Sequence, residues 1–201
     1  ITSVTTSGAG PYTVVIAFSV TKNGVGYDDG NGLPDFDQKR VYIAGYDSAA
    51  SYPTGYPWPQ AQNISFTVSA STLLSLGGGD YTITKTGVAT APAANRIAYL
   101  YLAQGPLEVG SSYSLYSDVV NTGLAAGNAN TYTSTANVSA CEKCHGAPYR
   151  KHGYRAAEVS GLSDFAACKT CHYDDGTGGH RDWQLLVDDP ATYAAFTAIA
   201  A

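Results

Sequence analysis

All four cysteines and all four histidines of this 201-residue chain lie between Cys141 and His180, and positions 1–140 contain neither. This partition constrains the chain more than any other feature, because it separates a region equipped for chemistry from a region without it. Within the equipped stretch stand Cys141-Glu142-Lys143-Cys144-His145 and Cys168-Lys169-Thr170-Cys171-His172. Each is C-x-x-C-H, the attachment signature of c-type haem. The reason is geometric: two cysteines three apart on one turn reach two vinyl groups of one porphyrin and form thioethers, and the adjacent histidine lies under the iron. The motifs therefore imply two covalently bound haem c groups, one on Cys141 and Cys144 and one on Cys168 and Cys171. His145 and His172 are then the proximal iron ligands.

Two C-x-x-C pairs also suit a four-cysteine zinc ribbon, and redox dithiols or disulfides use the same residues. None of these requires a histidine after each pair. With four histidines in 201 residues, both positions would be histidine by chance in about one case in 2,500, whereas the haem motif demands both. The remaining histidines repeat the pairing. His152 follows the first motif and His180 the second, and the chain contains no Met that could serve as an axial ligand. Four histidines for two irons imply bis-His ligation, with His152 and His180 distal. Each distal histidine is free at this stage to cap its own haem, the other haem, or one in a neighbouring subunit. Iron saturated in this way carries electrons rather than binding substrate or oxygen, and its potential lies below that of a His/Met pair. The expected role is an electron-transfer protein, not an enzyme; a haem enzyme would need His152 or His180 to leave an axial position open.

The rest of the chain reads as scaffold, giving a mainly β protein in two parts: an antiparallel, immunoglobulin-like β-sandwich over residues 1–139 and a small, mostly irregular or short-helical dihaem segment over 140–201. Val14, Ile16, Phe18 and Val20 alternate with smaller residues at the period of a strand. The same alternation recurs at Val41–Ile43, at Ile64, Phe66 and Val68, at Tyr81 and Ile83, at Ile97, Tyr99 and Tyr101, and at Tyr113 and Leu115. Lys22-Asn23-Gly24, Asp28–Gly32, Gly77–Asp80 and Gln104-Gly105-Pro106 supply turns between them. Six or seven short strands so spaced fit a sandwich, with a linker within Gly123–Ser139. Short helices are expected at Tyr154–Val159, Asp164–Cys168 and Ala191–Ala201.

Composition excludes other classes. Charged residues make up 13% of the chain and acids outnumber bases 16 to 11, which is the wrong balance for a protein that grips nucleic-acid phosphates. No apolar run approaches the ~18–20 residues of a spanning helix. The first residue is Ile1 and Met is absent, so a mature form with its leader removed is expected. The acidic stretch Asp28, Asp29, Asn31, Asp35 and Asp37 lacks the spacing and closing Glu of an EF-hand, and a solvated turn is expected there rather than a calcium site. Ser51–Pro59, rich in Pro and aromatics, suits a loop over the sandwich edge or a sticky interface. Asn63-Ile64-Ser65 and Asn137-Val138-Ser139 match the glycosylation sequon. Asp174, Asp175, Asp188 and Asp189 suit a solvated surface.

The run Cys141-Glu-Lys-Cys-His-Gly146, then His152-Gly153 and Arg155, then Cys168-Lys-Thr-Cys-His172, resembles the repeating pattern of the outer-membrane decahaem cytochromes of the OmcA/MtrC type. In that family β-domains alternate with multihaem domains, and electrons pass to acceptors outside the cell. The resemblance implies proximal roles for His145 and His172, a distal role for His152, and an extracellular or cell-surface location, with the periplasm as the alternative. Where that family is decahaem, this chain has two motifs. Residues 140–201 are too few to bury two macrocycles, and exposed porphyrin is an apolar patch that draws a partner. A head-to-tail contact between identical copies gives a filament when it does not close. The expectation is thus a polymer of dihaem subunits meeting redox partners or extracellular acceptors, with a monomeric shuttle as the alternative.

Overall fold

Alternation along Tyr12–Ser19 becomes a strand in which Val14, Ile16 and Phe18 turn inward and are fully buried. The computed structural model describes residues 1–46, 60–106, 116–127, 137–150 and 155–171, with positions 191 and 194. The strands are β1 (Ser3–Ser7), β2 (Tyr12–Ser19), β3 (Thr21–Lys22), β4 (Val25–Gly26), β5 (Gln38–Tyr46), β6 (Gln60–Thr67), β7 (Leu73–Gly77), β8 (Asp80–Val88), β9 (Arg96–Pro106) and β10 (Tyr116–Ala126). The helix α1 (Val138–His145) follows, and positions 191 and 194, within the helix expected at Ala191–Ala201, are helical as well.

Two antiparallel four-stranded sheets form, in the orders β1-β2-β8-β7 and β10-β9-β5-β6. Matched in chain order, this is the immunoglobulin arrangement of A-B-E-D facing G-F-C with one added strand beside C. Between the sheets Val14, Ile16, Phe18, Leu73, Tyr81 and Ile83 meet Val41, Ile43, Phe66, Ala98, Leu100 and Leu102 in one apolar core. Each large aliphatic side chain buried there contributes roughly 1.5–3 kcal/mol. The β3–β4 hairpin closes on Asn23-Gly24, both at positive φ (55° and 78°), the two-residue turn that such a dipeptide favours.

Several sequence expectations change. The strand expected at Ile97, Tyr99 and Tyr101 is present as β9, whose Ala98, Leu100 and Leu102 face the inter-sheet core while Ile97, Tyr99 and Tyr101 face the other way. All of Ile97–Ala103 is nonetheless buried, because β9 is covered on both faces. Gln104-Gly105-Pro106 is the end of β9 rather than a turn. Gly123–Ala126 belong to β10 and Val138–Ser139 to α1; between them residues 128–136, where the linker is expected, lie outside the described residues. The helix expected at Tyr154–Val159 is absent over residues 155–159, and the one at Asp164–Cys168 is a series of turns leading into a 3-10 turn, Cys168–Thr170. Strands β1, β3, β4, β7 and β10 had no expectation. Tyr113, Leu115, Tyr154, the stretch 51–59 and most of 191–201 lie outside the described residues.

Candidate haem-attachment site

The first motif occupies the whole last turn of α1. Asn137 caps the helix: its Oδ1 accepts from the Ser139 N–H at 2.9 Å and from the Ser139 hydroxyl at 2.6 Å. A match to the glycosylation sequon is here a helix cap. Gly146, at φ 81°, ends the helix, and its N–H donates to Glu142 O at 3.0 Å. Residues three and four apart share one helix face, so Cys141, Cys144 and His145 project from a single side. Cys141 is partly buried, whereas Cys144 and His145 are exposed.

The second motif lies on tighter backbone. Cys168–Thr170 form a 3-10 turn, and the Cys171 N–H donates to Cys168 O at 3.1 Å. Positions three apart eclipse in such a turn, which again puts both cysteines on one side. Thr170 fixes the turn from within: it is buried, and its hydroxyl donates to Ala167 O at 2.7 Å. Burial pushes the Cys168 thiol up to about 12, so as a free thiol it stays protonated at neutral pH. No disulfide links any of the four cysteines. Among the described residues no three His, Cys, Asp or Glu side chains gather as a metal-ion site, and all four cysteines are described.

What holds this segment is the outer face of the sheet β10-β9-β5-β6. Tyr42 of β5 and Tyr99 and Tyr101 of β9 form a platform of rings with centroids 6.1–6.5 Å apart. Ala156, Val159 and Ala167 close over it, with Leu162 and Cys171 at its margin. Arg155 fastens the segment: Nη2 donates to Tyr42 Oη at 2.7 Å, and the guanidinium lies 5.4 Å from the Tyr42 ring centre and 5.9 Å from that of Tyr101. The Tyr99 hydroxyl bonds Asn121 Oδ1. Burial above all, with Cys168 nearby, raises the Tyr99 phenol well above its ordinary range, against the opposing pull of Arg155.

The segment also covers the free edge of β10. Ser160 bridges Thr122 in parallel, and the Gly123 N–H donates to Ser160 O at 2.9 Å. Two glycines allow this approach. A Cβ on Gly123 would stand 2.3 Å from Leu162, and one on Gly161, at φ 86°, would stand 2.3 Å from Gly123 O.

The two motifs meet in one apolar cluster. Val138, Ala157 and Phe165 are its buried centre, and Cys141, Tyr149 and Cys168 pack against them. Tyr149 is tied to both sides, since its N–H donates to Glu142 Oε1 at 3.0 Å and its carbonyl accepts from the Ala157 N–H at 3.0 Å. Burial, then the neighbouring Cys141 and Cys168, raise its phenol. Of the site residues expected from sequence, Cys141, Cys144, His145, Cys168 and Cys171 are described; His152, His172 and His180 lie outside the described residues. The cysteine spacing gave no sign of the tyrosine platform. The unbroken apolar run of β9 does carry one, since a strand covered on both faces loses its polar alternation.

The carboxylates of the acidic turn are engaged within the protein. Asp28 bonds Ser75 and the Gly30 N–H, Asp29 accepts from the Asp35 N–H, and Tyr27 donates to Asp35. The Lys39 ammonium takes up the Leu33 and Phe36 carbonyls of the same turn. Two clefts of about 230 Å³ each open near Val20 and Val120, and no cysteine lines either.

No helix among the described residues is long and apolar enough to cross a membrane. No family model matches the chain, and no curated protein matches it. Among solved structures it is similar to the crystal structure of MtrC from Shewanella baltica OS185, at 15% identity and a TM-score of 0.45, covering 85% of this chain. The chain spans 33% of the length of that protein. A likeness of this extent carries no argument about function, and the chain's own residues have to supply one.

Proposed function

We propose that this chain is an exported dihaem c-type cytochrome that transfers electrons. One observation carries the proposal: each C-x-x-C pair lies on a single turn, Cys141 and Cys144 share a helix face with His145, and one apolar cluster brings the two turns together. The residues present fit the group. Cys141 with Cys144, and Cys168 with Cys171, would hold two haems through thioethers; His145 and His172 would be proximal ligands and His152 and His180 distal ones. Haem bound in this way supplies reversible one-electron exchange at iron. The chain's own part is to hold both attachment turns against a rigid sheet through Arg155 and the tyrosine platform. Fixing the turns limits rearrangement around each site when its charge changes. This division leaves residues 1–139 as scaffold and 140–201 as the redox segment.

Cys144 and His145 are exposed on α1, which supports a second step. A macrocycle held at Cys144 and His145 would be attached from the exposed side of α1, and another copy of the chain is the partner that would cover it and repeat the contact. A homopolymer that passes electrons along its length outside the cell, or at its surface, follows from that step; a monomeric shuttle is the competing form. Light scattering across a wide concentration range separates them, and monomers throughout would exclude the polymer.

The test of the cytochrome itself is an absorption spectrum, oxidised and then dithionite-reduced, with a pyridine haemochrome count. Two low-spin haems per chain and no change on adding carbon monoxide are expected. A colourless zinc protein would overturn the proposal, and carbon-monoxide binding would move it to an enzyme with an open axial site.

A further inference from the structure

Phe165 is buried to 2% exposure and held at φ 60°. Glycine reaches that region freely, whereas a bulky aromatic there is a true outlier that strains the backbone. Such a conformation persists only where the surroundings over-determine it, and here they do. The Phe165 N–H donates to Ala157 O at 2.9 Å, and its carbonyl accepts from the Cys168 N–H at 3.0 Å, so its backbone starts the turn that carries the second motif. Its ring is buried in the cluster against which Cys141 of the first motif and Cys168 of the second both pack. Tyr149 meets it edge-on, with centroids 6.4 Å apart at 66°, and Tyr149 in turn lies 5.3 Å from the His145 ring. A line of three rings thus runs from the first proposed iron ligand to the residue that starts the second attachment turn.

We propose that Phe165 is a positioning residue that fixes the separation of the two haem sites, its backbone setting Cys168 and its ring meeting Tyr149 in the cluster against which Cys141 packs. The inference rests on the dihaem proposal above. Its consequence is electrostatic. Two irons held at a fixed separation would each feel the other's change of charge, so the pair would titrate in two separated steps. When the separation loosens, the mutual term falls and the steps draw together.

The experiment compares the full-length holoprotein with Phe165→Leu, which keeps apolar volume but loses the ring, and Phe165→Asn, which tolerates the left-handed backbone but loses the packing. Haem count comes from the pyridine haemochrome, and the reductive titration is followed by absorbance. Magnetic interaction between the two ferric sites is read by electron paramagnetic resonance. Phe165→Leu is expected to keep two haems while its titration narrows and the interaction weakens, and Phe165→Asn is expected to show at least as large a loss. Two haems with a wild-type titration and wild-type magnetic interaction in Phe165→Leu would overturn the positioning role and leave the dihaem proposal standing. A wild-type protein without two haems would overturn both.

Discussion

The two outer faces of the sandwich differ in what they are built from and in what lies on them. On one sheet, Thr5, Val15, Ala17, Thr82, Thr84 and Leu74 face outward with no charge among them, and Leu74 and Leu76 are 48% and 66% exposed. On the other, Tyr42, Tyr99 and Tyr101 lie beneath the segment that carries the cysteines, and Tyr99 is 1% exposed. Small hydroxyl side chains make an open face tolerable, because water satisfies them. Tyrosines instead present broad apolar rings that gain when covered, with hydroxyls that find partners at the rim: Arg155 for Tyr42 and Asn121 for Tyr99. The described part of this segment thus adds the apolar face of the sheet to its own small cluster around Phe165.

Substitutions should therefore have unequal effects on the two faces. Tyr99→Ala removes the centre of the covered face and is expected to cost about 3–5 kcal/mol, measured by chemical denaturation of the full chain, with the protease sensitivity of residues 155–171 rising in step. A cost near that of an exposed site would mean the segment does not depend on the platform. Gly161→Ala forces a Cβ toward Gly123 O at φ 86° and should cost about 1–3 kcal/mol from backbone strain alone. Gly24→Ala, at φ 78° with nothing within 4 Å, controls for strain without the overlap and should cost less. Equal costs at the two glycines would remove the case for close docking on β10. At the small end, Leu74→Ser on the open face should change stability by no more than about 0.5 kcal/mol. A larger loss would show that this face is covered as well.

Much of this was legible in the sequence, for physical reasons that differ by region. Alternation in β2 and β8 follows directly from one face meeting the core, so Ile16 and Ile83 could be placed inward. β9 was legible as a strand, but its apolar run has no polar face to show which side meets the core; Ile97, Tyr99 and Tyr101 are as buried as Leu100, but under the cysteine segment. The cysteine motifs were readable because their spacing is itself the chemistry. The helix that carries the first motif was not anticipated, since its eight residues have little intrinsic helical strength and depend on the Asn137 cap and on packing through Val138. Phe165 and Arg155 act through tertiary contacts, with Ala157 and Cys141 and with Tyr42, and no local pattern announces such contacts.

The central claim is that two haems are covalently attached to this one chain. Intact mass spectrometry under denaturing conditions tests it most directly, on protein made in a host that matures c-type cytochromes. The account predicts the polypeptide mass plus two haems, falling by one haem when Cys141 and Cys144 are both replaced by Ala and by the other when Cys168 and Cys171 are. The bare polypeptide mass, or a pigment that separates from the chain on denaturation, would contradict it.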